Sequence, residues 1–240
     1  MAHFPPGSEA LGMHITVHAE KLGRWLVIAM VVFNAAAFAV IGLTKALDRG
    51  EDLARLFDVA DEGNITSWVS ALLFLGAAVL LAMNAHTAHI EGDRDERSWW
   101  LLAAVFTYLS LDEAAAVHEL LTEPAGSLTD ASGLFRYAWI IVAIPLVAIL
   151  GIALLGYLRR LPVPTRRAFL VAGAVFLGGA IGLEAIGGAV LEAGITGHGV
   201  NRLLVSIEEA LENVGIALFI GALLRHMAAT GARSTTVTVA

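Results

Sequence analysis

Residues 65–85 read ITSWVSALLFLGAAVLLAMNA, a run without a single charge. Roughly 20 such residues cross a bilayer core as an α-helix, because each backbone N–H and C=O must be satisfied within the segment once water is gone. Working outward from this run, comparable stretches occur at about Trp25 to Leu43, Trp99 to Leu121, Tyr137 to Leu158, Ala168 to Ala193 and Leu203 to Met227, joined by short polar loops. The pattern predicts an all-α, polytopic membrane bundle of six transmembrane helices over residues 25–228. Residues 1–24 read as a cytoplasmic N-terminal leader, and the Ser/Thr-rich residues 229–240 as a disordered cytoplasmic tail. Between the first two spans the chain is too polar to cross. Its apolar residues Leu47, Leu53, Leu56 and Phe57 recur at helical spacing, which predicts an interfacial helix on the outer surface at about residues 45–61.

Composition agrees with this reading. Apolar residues make up 58% of the 240, charged residues 15%, and the mean hydropathy is +0.75, which excludes an ordinary soluble domain. A net charge of -7 without a long basic run leaves no electrostatic footprint for nucleic acid, so none is expected as a partner. With no cysteine, a metal could be held only by His, Asp, Glu or backbone oxygen. Walker-type, nucleophile-elbow and dinucleotide glycine motifs are missing from the sequence.

Lys and Arg are retained on the cytoplasmic side, so their distribution over alternate loops sets the orientation. One side holds Lys21, Arg24, Arg94 and Arg97, the Arg159/Arg160 and Arg166/Arg167 pairs, Arg225 and Arg233. The other holds Lys45, Arg49, Arg55, Arg136 and Arg202. Both termini are predicted cytoplasmic, in a multi-pass protein of the cell membrane. Trp25, Trp68, Trp99, Trp100 and Trp139 fall at or near span starts and read as headgroup-level anchors.

The anomaly is acidic. The third span carries Asp112, Glu113, His118 and Glu119; the fifth carries Glu184 and Glu192; the sixth carries Glu208, Glu209 and Glu212 beside Asn213. A charge near the bilayer centre costs about 3 kcal/mol or more, so such residues face the protein interior or a water-filled cavity. At about 1.5 Å rise per residue the acids all fall in the outer half of the membrane. Asp112 and Glu119, seven apart, share one helix face, as do Glu208 and Glu212. Gly178, Gly179, Gly182, Gly187 and Gly188 around Glu184 allow close helix approach.

Carboxylates crowded in low dielectric share protons or bind cations. The expected function is therefore a proton- or cation-coupled carrier whose partners are the lipid bilayer and a small cation or proton. Asp112, Glu113, Glu184, Glu209 and Glu212 bind, and His118 relays. The alternative is a membrane enzyme acting on a lipid or small apolar substrate. A divalent Fe, Mn or Zn ion would then be held by His118, Glu119 and Glu208 with the preceding acids. A third possibility is an assembly or sensor protein in which the acids serve helix pairing. At the opposite end, His14 and His18, His86 and His89, and His226 are spaced so that a pair could chelate.

A short internal repeat pairs Trp25-Leu-Val-Ile-Ala-Met with Trp139-Ile-Ile-Val-Ala-Ile, Phe74-Leu-Gly-Ala-Ala with Phe176-Leu-Gly-Gly-Ala, and Ser110-Leu-Asp-Glu-Ala with Ser206-Ile-Glu-Glu-Ala. Each half would hold an odd number of spans, so the two three-helix repeats would be inverted, their third and sixth helices facing each other.

Leu56-Phe57-Asp58 through Asn64-Ile65 and Trp68, then Ser110-Leu111-Asp112-Glu113-Ala114-Ala115 with His118-Glu119, then Glu208-Glu209 with Leu211-Glu212, carry a resemblance. The chain resembles a family of uncharacterised bacterial six-helix integral membrane proteins, which implies a membrane location and brings no established activity. The Leu-Asp-Glu of the third span also looks like the acidic motif of alkaline ceramidase-type hydrolases. The paired histidines those enzymes carry on a late helix are missing here.

Overall fold

The computed structural model describes residues 18–59, 61, 63–118, 120, 132–195 and 198–230. Among them there is no strand. The helices are α1 (Ala19–Leu47), α2 (Glu51–Leu56), α3 (Ile65–Glu91), α4 (Glu96–Ala115), α5 (Trp139–Arg160), α6 (Val163–Glu192) and α7 (His198–Thr230), with a 3-10 turn at Gly133–Phe135. α1, α3, α5 and α6 are long and apolar enough to cross a membrane. Their outward faces carry bare hydrophobics such as Val32, Leu72, Ile149 and Val171, compatible with a multi-pass membrane protein.

Local chemistry sets the boundaries. Asn64 caps α3 by accepting from the backbone N–H groups of Thr66 and Ser67, and the Ser67 hydroxyl accepts from the N–H of Asn64, closing a capping box. Gly92, at φ 65°, supplies the left-handed turn that lets α4 fold back along α3. Pro164 sits in the first turn of α6, where no backbone donor is needed. Within α6 the turn Gly178–Leu183 widens into a π-helical segment immediately before Glu184.

α7 is the central post. It packs against α1, α3 and α6, and Ile216, Ala217, Ala222 and Leu223 are almost completely buried. Missing side chains permit that proximity. A Cβ on Gly23 of α1 would lie 2.8 Å from Gly221 Cα, and one on Gly215 would lie 2.7 Å from the backbone nitrogen of Phe176. The Ser70 hydroxyl donates to Asn213 Oδ1 at 2.9 Å, joining α3 to α7 inside the bundle. Phe74 and Phe176 meet edge to face with centroids 5.6 Å apart.

α5 is attached differently. Its buried residues are Ile140 near one end and Leu154 and Tyr157 near the other. Arg160 pairs with Asp95 at the α3–α4 turn, and Trp99 meets Tyr157 edge to face at 5.1 Å. Between those ends α5 makes few close backbone contacts with any other helix, α4 included.

Three expectations change. The third span does not run to Leu121: α4 stops at Ala115, and Ala116 turns left-handed at φ 51°. There the Asp112 carboxylate accepts from the His118 backbone N–H at 2.7 Å, drawing the chain back over the helix end. Trp99 is not a headgroup anchor but 4% exposed, stacked on His226 and touching Phe169. Among the described residues, the polar stretch after the first span holds the short α2 and no longer helix, because α1 itself continues to Leu47 before Asp48 and Gly50 turn left-handed. His14 and Glu119 lie outside the described residues.

Candidate functional site

A cavity of about 630 Å³ opens among α3, α4, α5, α6 and α7. One end of it is acidic. Asp112 and Glu113 reach it from α4, Glu184 from α6, and Glu208, Glu209 and Glu212 from α7; His118 joins them from the turn after α4. The acids are on different helices, and the packing that gathers them is backbone against backbone. A Cβ added to Gly179 would lie 2.8 Å from the Glu208 carbonyl oxygen and 3.1 Å from Glu212 Cγ. The π-helical turn around that glycine therefore lies directly against the acidic face of α7.

Hydrogen bonds orient the cluster. His118 Nδ1 lies 3.1 Å from Asp112 Oδ2, and the same carboxylate holds the His118 backbone through its other oxygen. Trp139 Nε1 donates to Glu184 Oε1 at 2.9 Å, and the indole lies 5.2 Å from the His118 ring. Glu113, Glu184, Glu208 and Glu209 all act electrostatically on Glu212. Among the described residues that line the cavity none is Lys or Arg.

The loop between α2 and α3 borders the same end. Arg202 at the start of α7 pairs with the buried Asp58, and Asn64 Nδ2 donates to the carbonyls of Asp58 and Asp61 at 2.6 and 2.7 Å. Val59, Asp61, Thr66 and Ser67 consequently face the cavity.

The remainder is apolar. α5 presents Val142, Ala143, Leu146, Val147 and Leu150 as one stripe, opposite Val105 and Leu109 of α4. Phe74, Phe176 and Leu177 line it as well.

The sequence-predicted residues thus divide. Asp112, Glu113, His118, Glu184, Glu208, Glu209 and Glu212 share one cavity. Glu192 does not; it is exposed and accepts from the Gly133 backbone N–H, tying the end of α6 to the 3-10 turn. Around Glu184, Gly179 and Gly188 make close approaches, whereas Gly178 and Gly187 meet nothing within 4 Å. Among the described residues no group of three or more His, Asp and Glu side chains is arranged to hold a metal ion. At the far end of the bundle His89 contacts Glu96 at 3.1 Å, and His226 is buried against Trp99 with Thr165 at 3.4 Å. The residues that sequence reasoning missed are Tyr108, Tyr137 and Trp139 at the acidic end. Trp139 stood out only as an interfacial tryptophan, and its place as the first residue of α5 gave no hint of Glu184.

The family described as "Domain of unknown function (DUF8692)" matches residues 25–227. The chain belongs to this family. The DUF8692 match starts at Trp25 in α1 and closes at Met227 in α7, so it takes in all the helices that build the cavity. It accords with the resemblance to an uncharacterised family. No curated protein and no solved structure matches the chain.

Proposed function

We propose that this DUF8692 protein is a proton- or cation-coupled carrier of the bacterial inner membrane, with six spans and both termini in the cytoplasm. The observation that carries the reading is the single cavity that collects carboxylates from α4, α6 and α7, with no Lys or Arg among the described residues of its lining. Carboxyl groups gathered from three helices in a low-dielectric interior take up protons or cations from solution and release them again. Asp112, Glu113, Glu184, Glu209 and Glu212 bind it, and His118, tethered to Asp112, passes protons to the aqueous side.

The carrier reading includes two inverted halves, α1 to α4 and α5 to α7. Three features support it. The repeat-related Phe74 and Phe176 touch, as residues near a pseudo-two-fold axis do. The related pairs Asp112/Glu113 and Glu208/Glu209 enter the same cavity, and the α3–α4 pairing is mirrored by the α6–α7 pairing.

The test is proton flux in proteoliposomes with a pH-reporting dye inside. Wild type should acidify or alkalinise the lumen when a cation gradient is imposed, and Glu209→Gln/Glu212→Gln should lose at least about tenfold of the rate. No flux above empty vesicles under any gradient overturns the carrier reading. Elemental analysis of the same preparation addresses the metal-enzyme alternative, in which Glu208, His118 and the neighbouring acids hold Fe, Mn or Zn. Near-stoichiometric metal that vanishes in Asp112→Asn and Glu209→Gln would favour that enzyme.

A further inference from the structure

We propose that the substrate of this cavity is an organic cation with a hydrocarbon body, entering between α4 and α5; the proposal rests on the carrier reading and names what is carried. A proton or bare metal ion needs no more than a few oxygen atoms around it. About 630 Å³ lies instead within the range of sites for small organic molecules, roughly 300–1,000 Å³.

The lining is divided along its length. Among the described residues, the ionisable lining groups at one end are carboxyls and the His118 imidazole, a set that favours a cationic group over an anionic one. Tyr108, Tyr137 and Trp139 stand at that end, and aromatic faces attract ammonium and related cations within about 6 Å of the ring. The other part is hydrocarbon: Val105 and Leu109 on α4 face Val142, Leu146, Val147 and Leu150 on α5. A ligand that leaves this lobe filled with water forfeits apolar burial of roughly 25 cal/mol per Å².

The route follows from α5. Leu146 lines the cavity yet is 59% exposed, so at its level the wall is open to the outside of the bundle. The faces flanking that opening are apolar, with Ile144 and Ile149 pointing outward. A molecule dissolved in hydrocarbon meets the opening body first and brings its charge to the acids last.

The experiment measures equilibrium binding of tetraphenylphosphonium, a cation with an apolar body, to the detergent-purified full chain. Tetraphenylmethane, neutral and of like shape, and sodium ion alone serve as comparisons. Saturable tetraphenylphosphonium binding is expected, displaced by lowering pH and at least about tenfold weaker in Glu209→Gln/Glu212→Gln. Leu146→Trp, which fills the apolar lobe, should weaken it by a similar factor, whereas Ile152→Trp, on the outer face of α5, should leave it unchanged. Equal binding of tetraphenylmethane would overturn the proposal, since charge would then be irrelevant. Failure to bind tetraphenylphosphonium while proton flux persists in proteoliposomes overturns the substrate class and leaves the carrier reading standing; failure of both overturns both.

Discussion

The indole N–H of Trp139 donates to Glu184 Oε1 at 2.9 Å, binding the first residue of α5 to the residue at which the π-helical turn of α6 ends. It fastens one end of a helix whose middle makes few close backbone contacts with any other helix. Trp139→Phe should therefore destabilise the fold by about 1–2 kcal/mol, in the range of hydrogen bonds to charged groups and of the stronger hydrogen bonds within membranes. Glu184→Gln, which keeps an accepting oxygen, should cost less. Unfolding in mixed micelles with increasing SDS reads both, and a larger loss for Glu184→Gln would show that the bond is not what holds α5.

Arg160 and Asp95 fasten the other end of α5. Asp95 is buried while the arginine side chain is 34% exposed, so solvent screens part of the attraction. Asp95→Asn or Arg160→Gln alone should each lower stability, and the double variant should lose clearly less than the sum of the two. Strict additivity in a double-mutant cycle would mean that the pair contributes nothing.

Gly215 meets the backbone of Phe176 so closely that a methyl group there would stand 2.7 Å from its nitrogen. Gly215→Ala must push α7 off α6, and overpacking of this kind costs typically 1–3 kcal/mol or more. Gly179→Ala, against the Glu208 carbonyl, should behave likewise and also distort the acidic end of the cavity. Gly151→Ala in α5, with nothing within 4 Å, should be neutral or raise thermal stability slightly. Thermal denaturation followed by size-exclusion chromatography ranks the three, and an intolerant Gly151 would contradict the packing described.

Asn64 both caps α3 and holds the carbonyls of Asp58 and Asp61. Its loss to Ala should cost about 1–2 kcal/mol, the upper part of the range for a helix cap. Proteolysis of the folded protein should become faster within residues 57–64, while Asn64→Asp, which retains capping but no amide donor, should show faster cleavage with a smaller loss of stability. Unchanged cleavage in both would sink the bracing role.

How much of this was legible depends on the kind of signal. Apolar runs located the helices, since burial from water is a property that composition alone expresses. Acids too costly to leave in a bilayer are expected to point inward, so Asp112, Glu113, Glu184, Glu208, Glu209 and Glu212 could be named together without knowing which helices touch, whereas Glu192, at the end of α6, lies exposed. Three-dimensional proximity was not legible. Ala116 is an ordinary helix former, and only the Asp112 carboxylate reaching the His118 backbone explains why α4 ends before it. Trp99 looks like any interfacial tryptophan until Tyr157, Phe169 and His226 surround it. Nothing in the spacing of Gly215 announced Phe176, and the glycines that did draw attention around Glu184 are only partly used.

The wide turn at Gly178–Leu183 also acts as a phase shift. An α-helix advances 100° per residue, so one residue more in a turn re-indexes everything beyond it by about that angle. Phe169, Ala172 and Phe176 before the turn are set by apolar contact, while Glu184 after it is set by Trp139 and the acids of α7. Deleting a single residue within 178–183 would let the turn close to ordinary α-helical width with Glu184 still facing the acids, whereas the same deletion in a regular stretch of α6 would swing it about a quarter of the way round the helix. The angular offset between greasy anchor and acidic tip is thus set by the number of residues between them together with the width of the turn that holds them.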